Sequence, residues 1–496
     1  MAGPVNPRAM STVQTAPATE SHVTMFFESF LLNLAVIVVL IVALVFDYVT
    51  KFFSYWYIRH IPYKYPLPGF GSDYHRVLGL RNTTDEVDKL YQKHRKDKLV
   101  GYIKSRIPDL MVKDPEIIKL LLSKESENFN KRGLCLERSL DGCLRNNLFY
   151  AEGEKWDLLR RNFKSILQSR LRKFEQSERS ADKYLRDVNG EINVQNFLEN
   201  IMNRVITDLV FGEHLNDGAE TFVSNLRCEL RNLTIAGRFK SYLKSLFPSI
   251  YILLGLITLK SQPDKSVHEV LQKSDLIHEV RKMNFDSAVD NLILKLGNHR
   301  NSNTDIVFSV LSLFITEGYT PCLNILACLL YELSKDQQMQ DAVRQQPEQF
   351  LDNAIKETMR LYPPYTVISR QCTKMYKFDD SNLVIDRGVT ITVPIASIHK
   401  DETYFENPEL FDPKRFSEEI ANKRPECSYL PYGVGPKKCI GQELSQVIIR
   451  SITGAILRKY EIEPSGKTPK KLIFKDHDFQ RVLDTKLYLN FNPIQL

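Results

Sequence analysis

Apolar residues first gather into one unbroken run. No charge falls between Glu28 and Asp47, and residues 29–46 are apolar almost throughout. At about 1.5 Å rise per residue this run nearly crosses a hydrocarbon layer of about 30 Å, and residues 25–49 cross it comfortably. Behind it, apolar positions recur at helical spacing over 84–102 and 115–124, with a β-rich patch at 99–112 between them. Further helices are expected from Gly153 through Arg161, over 305–335, around Glu357 and Arg360, and over 442–460. Short strands are expected at 383–385, 389–393 and within 472–491. An apolar run at 246–257, inside 239–259, reads as core or as a second membrane contact. The pattern predicts one mainly helical body with small sheets behind a single N-terminal transmembrane helix, with no internal repeat.

The flanks of the first run decide its kind. Residues 1–24 are rich in Ser, Thr, Ala and Pro and are expected to be a disordered tail. That tail is not basic and no small-residue cleavage site follows, so residues 25–50 read as a signal anchor and not a cleaved signal peptide. Lys51, Arg59, His60 and Lys64 follow the span, whereas Arg8 and Glu20 cancel before it, which places the body on the cytosolic side. Pro62, Pro66 and Pro68 resist helix and favour extended chain, so residues 51–70 are expected to form a stiff linker to a domain at 71–496.

Composition changes this picture little. The chain has 496 residues, 43% hydrophobic and 26% charged, which is globular, and a formal net charge of +7. That charge suits an acidic partner or an anionic membrane, and with no Lys/Arg block interleaved with aromatics a nucleic-acid partner is set aside. The eight cysteines are scattered without a Cys-x-x-Cys pair. They read as reduced thiols facing the cytosol, one of them chosen for chemistry.

That cysteine is Cys439. In Leu430-Pro-Tyr-Gly433-Val-Gly435-Pro-Lys437-Lys-Cys439-Ile-Gly441, two glycines precede it and a third follows, just before the 442–460 helix. Gly433 and Gly435 permit positive φ and close backbone approach, so the loop reads as a hairpin that brings backbone near something flat. Cys439 at the mouth of a helix has amide groups to stabilise a thiolate. A thiolate so placed is what a haem iron requires where oxygen–oxygen cleavage is the aim. A Gly-rich turn with a buried cysteine fits the same residues.

The stretch resembles the haem-binding signature of the cytochromes P450, Phe-Gly-x-Gly-x-Arg-x-Cys-x-Gly, with Tyr432 in place of Phe and Lys437 in place of Arg. Lys is a point charge and not a bidentate fork, so its grip on a haem propionate should be less directional. The resemblance runs from about Pro62 to Phe491 and is nearest to animal microsomal members, insect or vertebrate, that metabolise xenobiotics and lipids. It implies the cytochrome P450 fold, haem b with Cys439 as iron ligand, and oxidation of a lipophilic small molecule. Electrons would come from NADPH–cytochrome P450 reductase, with cytochrome b5 as a further donor, since the chain has no Gly-x-Gly-x-x-Gly unit. It also implies residence in the endoplasmic reticulum membrane.

Other segments carry the resemblance residue by residue. Trp156 and Arg160 lie four apart on one helix face; alone they suit an amphipathic surface helix, but in the family such a pair holds a propionate. Arg161, Lys164, Arg170, Arg172 and Lys173 continue as a basic stripe suited to an acidic electron donor. Arg370 and His399 are further propionate candidates, His399 also reading as structural, and Tyr432, Gly433 and Gly441 complete the cofactor set. Glu357 and Arg360 match a buried structural pair locked to Arg415. Residues 246–257 match the membrane-facing lid, and residues 479–482 are expected to reach the pocket.

Two departures stand out. Where the family has Ala-Gly-x-Asp/Glu-Thr on the helix over the haem, this chain has Glu317-Gly318-Tyr319-Thr320-Pro321. Pro321 cannot donate a proton; it should kink the helix and open a groove there. Glu317, Gly318 and Thr320 are the candidate oxygen-activation residues. The interval 331–357 is also shorter than the family implies, as if a helix or loop were missing. Two alternatives therefore stay open: a reductase-independent isomerase or dehydratase of oxygenated lipids, and a haem-binding relative without turnover.

Overall fold

Four strands form the largest sheet, in the order Leu99–Lys104, Ile107–Val112, Thr390–Val393, Ile368–Gln371. The first two make the hairpin expected at 99–112, and the third joins it in parallel although it lies some 280 residues later in the chain. Trp56 seals one end. A Cβ on Gly101 would stand 2.4 Å from its ring, and its indole N–H donates to the Tyr102 carbonyl at 3.0 Å. Only glycine permits that approach.

The computed structural model describes residues 30–67, 70–104, 107–145, 147–176, 181–211, 217–231, 234–258, 309–345, 347–379, 383–477 and 479–494. The expected tail 1–24 lies outside them. The chain divides into two units, one ending at Lys51 and one running from Phe52 to Leu496. A helix spans Phe30–Ile58, and its stretch Leu32–Asp47 is apolar. The longest apolar helix, Ser309–Leu333, is mostly buried within the protein and so belongs to the core.

That core helix organises the helical half. Every residue from Cys322 to Leu333 is buried, as expected of a helix apolar on all sides. It is packed among the helices Val194–Phe211, Pro347–Leu361 and Gln442–Lys459. Asn324, its one amide among them, donates to the Arg481 carbonyl at 3.1 Å and accepts from Leu483 N–H at 3.3 Å, so its burial is satisfied.

Several boundaries differ from the sequence pattern. The helix expected over 84–102 spans Thr83–Lys93; Asn82 caps its start, accepting from Asp85 N–H at 2.7 Å, and the chain is already extended from Leu99. The helix expected over 115–124 is an α-turn, Pro115–Lys119, followed by a widened π turn, Leu120–Lys124. The basic stripe loses Arg170, which is buried, while Arg161, Lys164, Arg172 and Lys173 are exposed. The short interval 331–357 still holds a nine-residue helix, Gln337–Gln345.

Candidate active site

The cysteine loop takes its shape from two glycines. Gly433 and Gly435 have φ of 71° and 75°, the left-handed region that other residues avoid. A Cβ at Gly435 would stand 1.9 Å from the Leu122 carbonyl oxygen, so the loop lies directly on the Leu120–Lys124 turn. The Cys439 N–H donates back to the Tyr432 carbonyl at 2.9 Å and closes the hairpin. The helix Gln442–Lys459 then begins, with Gly441 at its N-cap.

Cys439 opens onto a cavity of about 270 Å³. Most of its lining is apolar, including Phe163, Met202, Leu313, Phe314 and Ile325. Burial raises the Cys439 pKa; the Gly441 amide, Arg160 and Arg132 pull it down, and Glu317 pushes it up. Coordination to a metal cation deprotonates such a thiol.

Cations converge on one side of this cavity. Arg132, Arg370 and Lys437 all line it. Burial and then Arg132 bring the Arg370 pKa down to about 9, and burial, Arg132 and Arg370 bring Lys437 down to about 7. Lys437 Nζ lies 3.8 Å from the Trp156 ring centre, and the Arg160 guanidinium 5.2 Å from it. Arg160 also donates to the Lys438 carbonyl at 2.9 Å. Three cations at one rim, Arg370 buried and Arg132 and Lys437 half-buried, call for an anionic partner, and a thiol below an apolar, cation-edged cavity fits a flat dianionic metal macrocycle. Haem matches this donor set.

Trp156, Arg160, Arg370, Tyr432, Gly433, Lys437 and Gly441 all line the cavity with Cys439. His399 does not. It is fully buried outside the lining, and its Nε2 accepts from Leu430 N–H at 2.9 Å, so it fixes the start of the cysteine loop and is not brought to the cavity. Burial, reinforced by Arg360, holds its pKa down at about 3, so it is neutral.

Glu357, Arg360 and Arg415 come together as expected. Arg360 forks onto Glu357 at 2.7 and 2.8 Å, Arg415 Nε lies 3.3 Å from the same carboxylate, and Asp412 N–H donates to it at 2.9 Å. Arg360 also donates to the carbonyls of His399, Pro408 and Leu410. One buried ion cluster thus ties the Pro347–Leu361 helix to the 408–415 loop and, through His399, to Leu430 at the start of the cysteine loop.

The opposite face departs from a regular helix. Residues Phe314–Tyr319 form a π turn, in which Thr320 N–H reaches the Ile315 carbonyl. Pro321 has no N–H for the next such bond, and the Thr316 carbonyl instead accepts from Gln480 Nε2 at 2.6 Å. Gln480 donates also to the Tyr365 hydroxyl at 2.7 Å, and that hydroxyl donates to Glu317. Glu317, Gly318 and Pro321 line the cavity. Thr320 does not: the extra residue of the π turn rotates it away, its hydroxyl bonds the Ile315 carbonyl at 3.1 Å, and it lines a small separate pocket with Arg227, Arg231 and His477. Of the three candidate oxygen-activation residues, the structure thus brings Glu317 and Gly318 to the cavity and not Thr320. Of the 479–482 segment, Phe479, Gln480 and Val482 reach that small pocket and not the main cavity.

Arg132, Phe149 and Tyr365 carry no motif and went unread in the sequence, and Gln480 was read only as part of 479–482. Arg132 arrives through the bridge between its neighbour Lys131 and Gln371, a contact made only by the fold.

Residues 62–489 match the family model described as Cytochrome P450. The chain is 27% identical to cytochrome P450 6B2 of Helicoverpa armigera, over 90% of this chain and 95% of that protein. It is likewise 27% identical to cytochrome P450 6B1 of Papilio polyxenes, over 88% and 95% of the two chains. With cytochrome P450 6j1 of Blattella germanica the identity is 24%, over 94% and 98%. The chain belongs to the cytochrome P450 family of haem-thiolate monooxygenases.

Proposed function

We propose that this protein oxidises a lipophilic small molecule with O2 and electrons from NADPH–cytochrome P450 reductase, with cytochrome b5 as a further donor. The observation that carries the reading is the Cys439 thiol facing an apolar cavity edged by Arg132, Arg370 and Lys437. Haem held there supplies dioxygen activation and insertion of one oxygen atom into the substrate. The chain's own residues do the rest. Cys439 binds, the three cations and Arg160 orient, and the apolar wall excludes water and holds a lipophilic substrate. Glu317, which accepts from Tyr365 and is fixed through it by Gln480, is the carboxyl that moves a proton on this face, one helical turn before Pro321, where the family's helix has an alcohol.

The site of action is the endoplasmic reticulum membrane, with residues 25–50 as anchor, 51–70 as linker and the catalytic domain on the cytosolic side. Leu253 and Leu254 are 85% and 58% exposed on the apolar 246–257 segment, which supports a second membrane contact there. The exposed Arg161, Lys164, Arg172 and Lys173 are the docking face for the acidic reductase.

The test is turnover of lipophilic substrates in a reconstituted reductase system. Product formation that requires NADPH and O2 supports the reading. Pro321 and the turned-away Thr320 favour one rival, an isomerase or dehydratase of oxygenated lipids, because among the described residues the Ser309–Leu333 helix presents no alcohol to the cavity. Turnover of a lipid hydroperoxide without NADPH would decide for that rival.

A further inference from the structure

A second cavity, of about 320 Å³, adjoins the first, and Arg132, Phe149, Tyr365 and Val367 line both. Phe149 stacks on Tyr365 with ring centres 5.9 Å apart, and the Arg132 guanidinium sits 3.8 Å from the Phe149 ring centre. One layer of side chains thus separates the two spaces. The second is the more polar of the two.

One wall of the second cavity is a face of the four-stranded sheet. Cross-strand partners Tyr102 and Asp109, then Asp109 and Thr390, share that face, with Lys104 two residues beyond Tyr102 on the same side. Thr392 joins them and accepts from the Tyr102 hydroxyl at 2.8 Å. A sheet face turned inward is ordinarily apolar. This one carries buried charge.

Asp109 is 2% exposed and its Oδ1 has no hydrogen-bond partner; Asp73, on the same cavity and 5% exposed, is in the same position. Lys104 lines the cavity too, and no ion pair joins it to Asp109 or Asp73 among the described residues. Burial pushes the Asp109 carboxyl up to about 7, with Lys104 and hydrogen bonding from Tyr102 and Thr390 opposing, so near neutrality it can both donate and accept, and its Oδ1 is the atom left over. Buried polar atoms left unpaired are costly and call for a partner. A cation would match the carboxyls and repel Lys104, Arg76 and Lys64; an anion would do the reverse. A hydroxyl accepts from one and donates to the other.

We propose that this cavity is a binding site for the polar end of the substrate, an uncharged hydroxyl group of an otherwise apolar molecule held between Lys104 and Asp109. The apolar remainder passes Phe149 and Tyr365 into the cavity over Cys439. This deepens the monooxygenase reading and rests on it only for the direction in which the substrate points.

The experiment compares dodecan-1-ol with its methyl ether, which accepts but cannot donate, as ligands of the haem-loaded full chain. Affinity is read by calorimetry and by the ligand-induced shift of the haem absorption band. The wild type should bind the alcohol about tenfold tighter than the ether. Lys104→Met and Asp109→Leu should each abolish that preference and leave ether affinity within about twofold, since only the hydroxyl contact is lost. If Asp109→Leu does not fold, Lys104→Met alone decides. Equal affinity for the two ligands in the wild type, or a preference that survives the substitutions, overturns the proposal. The ferrous carbon-monoxide spectrum of the same samples judges the monooxygenase reading separately, because calorimetric discrimination does not depend on it.

Discussion

The two faces of the cavity over Cys439 are built on different principles. The cysteine face is over-determined: glycines that admit no side chain, a hairpin closed on itself, and a buried carboxylate shared by two guanidinium groups. The helix face is improvised. A π turn absorbs the proline, a glutamine from the last hairpin takes a carbonyl the proline leaves, and a tyrosine from another loop fixes the one carboxylate. The contrast teaches that the part which binds the metal tolerates little change, whereas the part which handles protons can be rebuilt from distant segments.

Removing the charge from the cysteine face should produce the largest effect. Glu357→Gln leaves Arg360 and Arg415 buried against no anion, a loss of about 3–5 kcal/mol. The expected outcome is a sharp fall in haem-loaded protein and a lower denaturant midpoint; unchanged stability would mean that the face is not held by this cluster.

On the helix face the protein should stay folded and lose chemistry. Glu317→Gln should lower product formed per NADPH by about 10²-fold, the lower end of what acid–base groups contribute. Tyr365→Phe should follow it in the same direction, because it frees the carboxylate. If either variant couples as well as wild type, with peroxide release unchanged, the improvised side has another proton source.

The smallest effects sharpen the comparison. Pro321→Thr restores a hydroxyl beside the cavity and should raise coupling by a factor of about 2–10. Thr320→Ala should leave coupling within about twofold, since its hydroxyl bonds the helix backbone and faces another pocket. The reverse pattern would place the working alcohol at Thr320.

The same contrast governs what could be read from the sequence. The cysteine face is written in one local stretch, Gly433 to Gly441, and in a Glu–Arg pair three residues apart, so resemblance to the family's motifs carried it where spacing alone left a plain Gly-rich turn and a surface pair open. Arg415 followed because its loop has a recognisable place after that pair. The helix face could not be read in this way. Tyr365 reaches Glu317 from 48 positions away and Gln480 reaches the Thr316 carbonyl from 164, and only packing brings them there. Helical periodicity assumed 3.6 residues per turn through Glu317 and Thr320, and the π turn breaks that assumption, which turned Thr320 to the wrong side. Arg132 was invisible for the same reason, since a lone arginine in a loop has no pattern. His399 kept two readings because a histidine near a cofactor loop looks alike in sequence whether it faces the cofactor or supports the loop. The polar sheet face was equally hidden: Lys104 and Asp109 sit in strands whose alternation shows a face and not what the face adjoins.

The ferrous carbon-monoxide difference spectrum of wild type and Cys439→Ala tests the central claim most directly. Wild type should show the red-shifted Soret band that marks a thiolate opposite carbon monoxide, and the variant should lack it. A wild type without that band, or a variant that keeps it, would mean that Cys439 does not hold the iron.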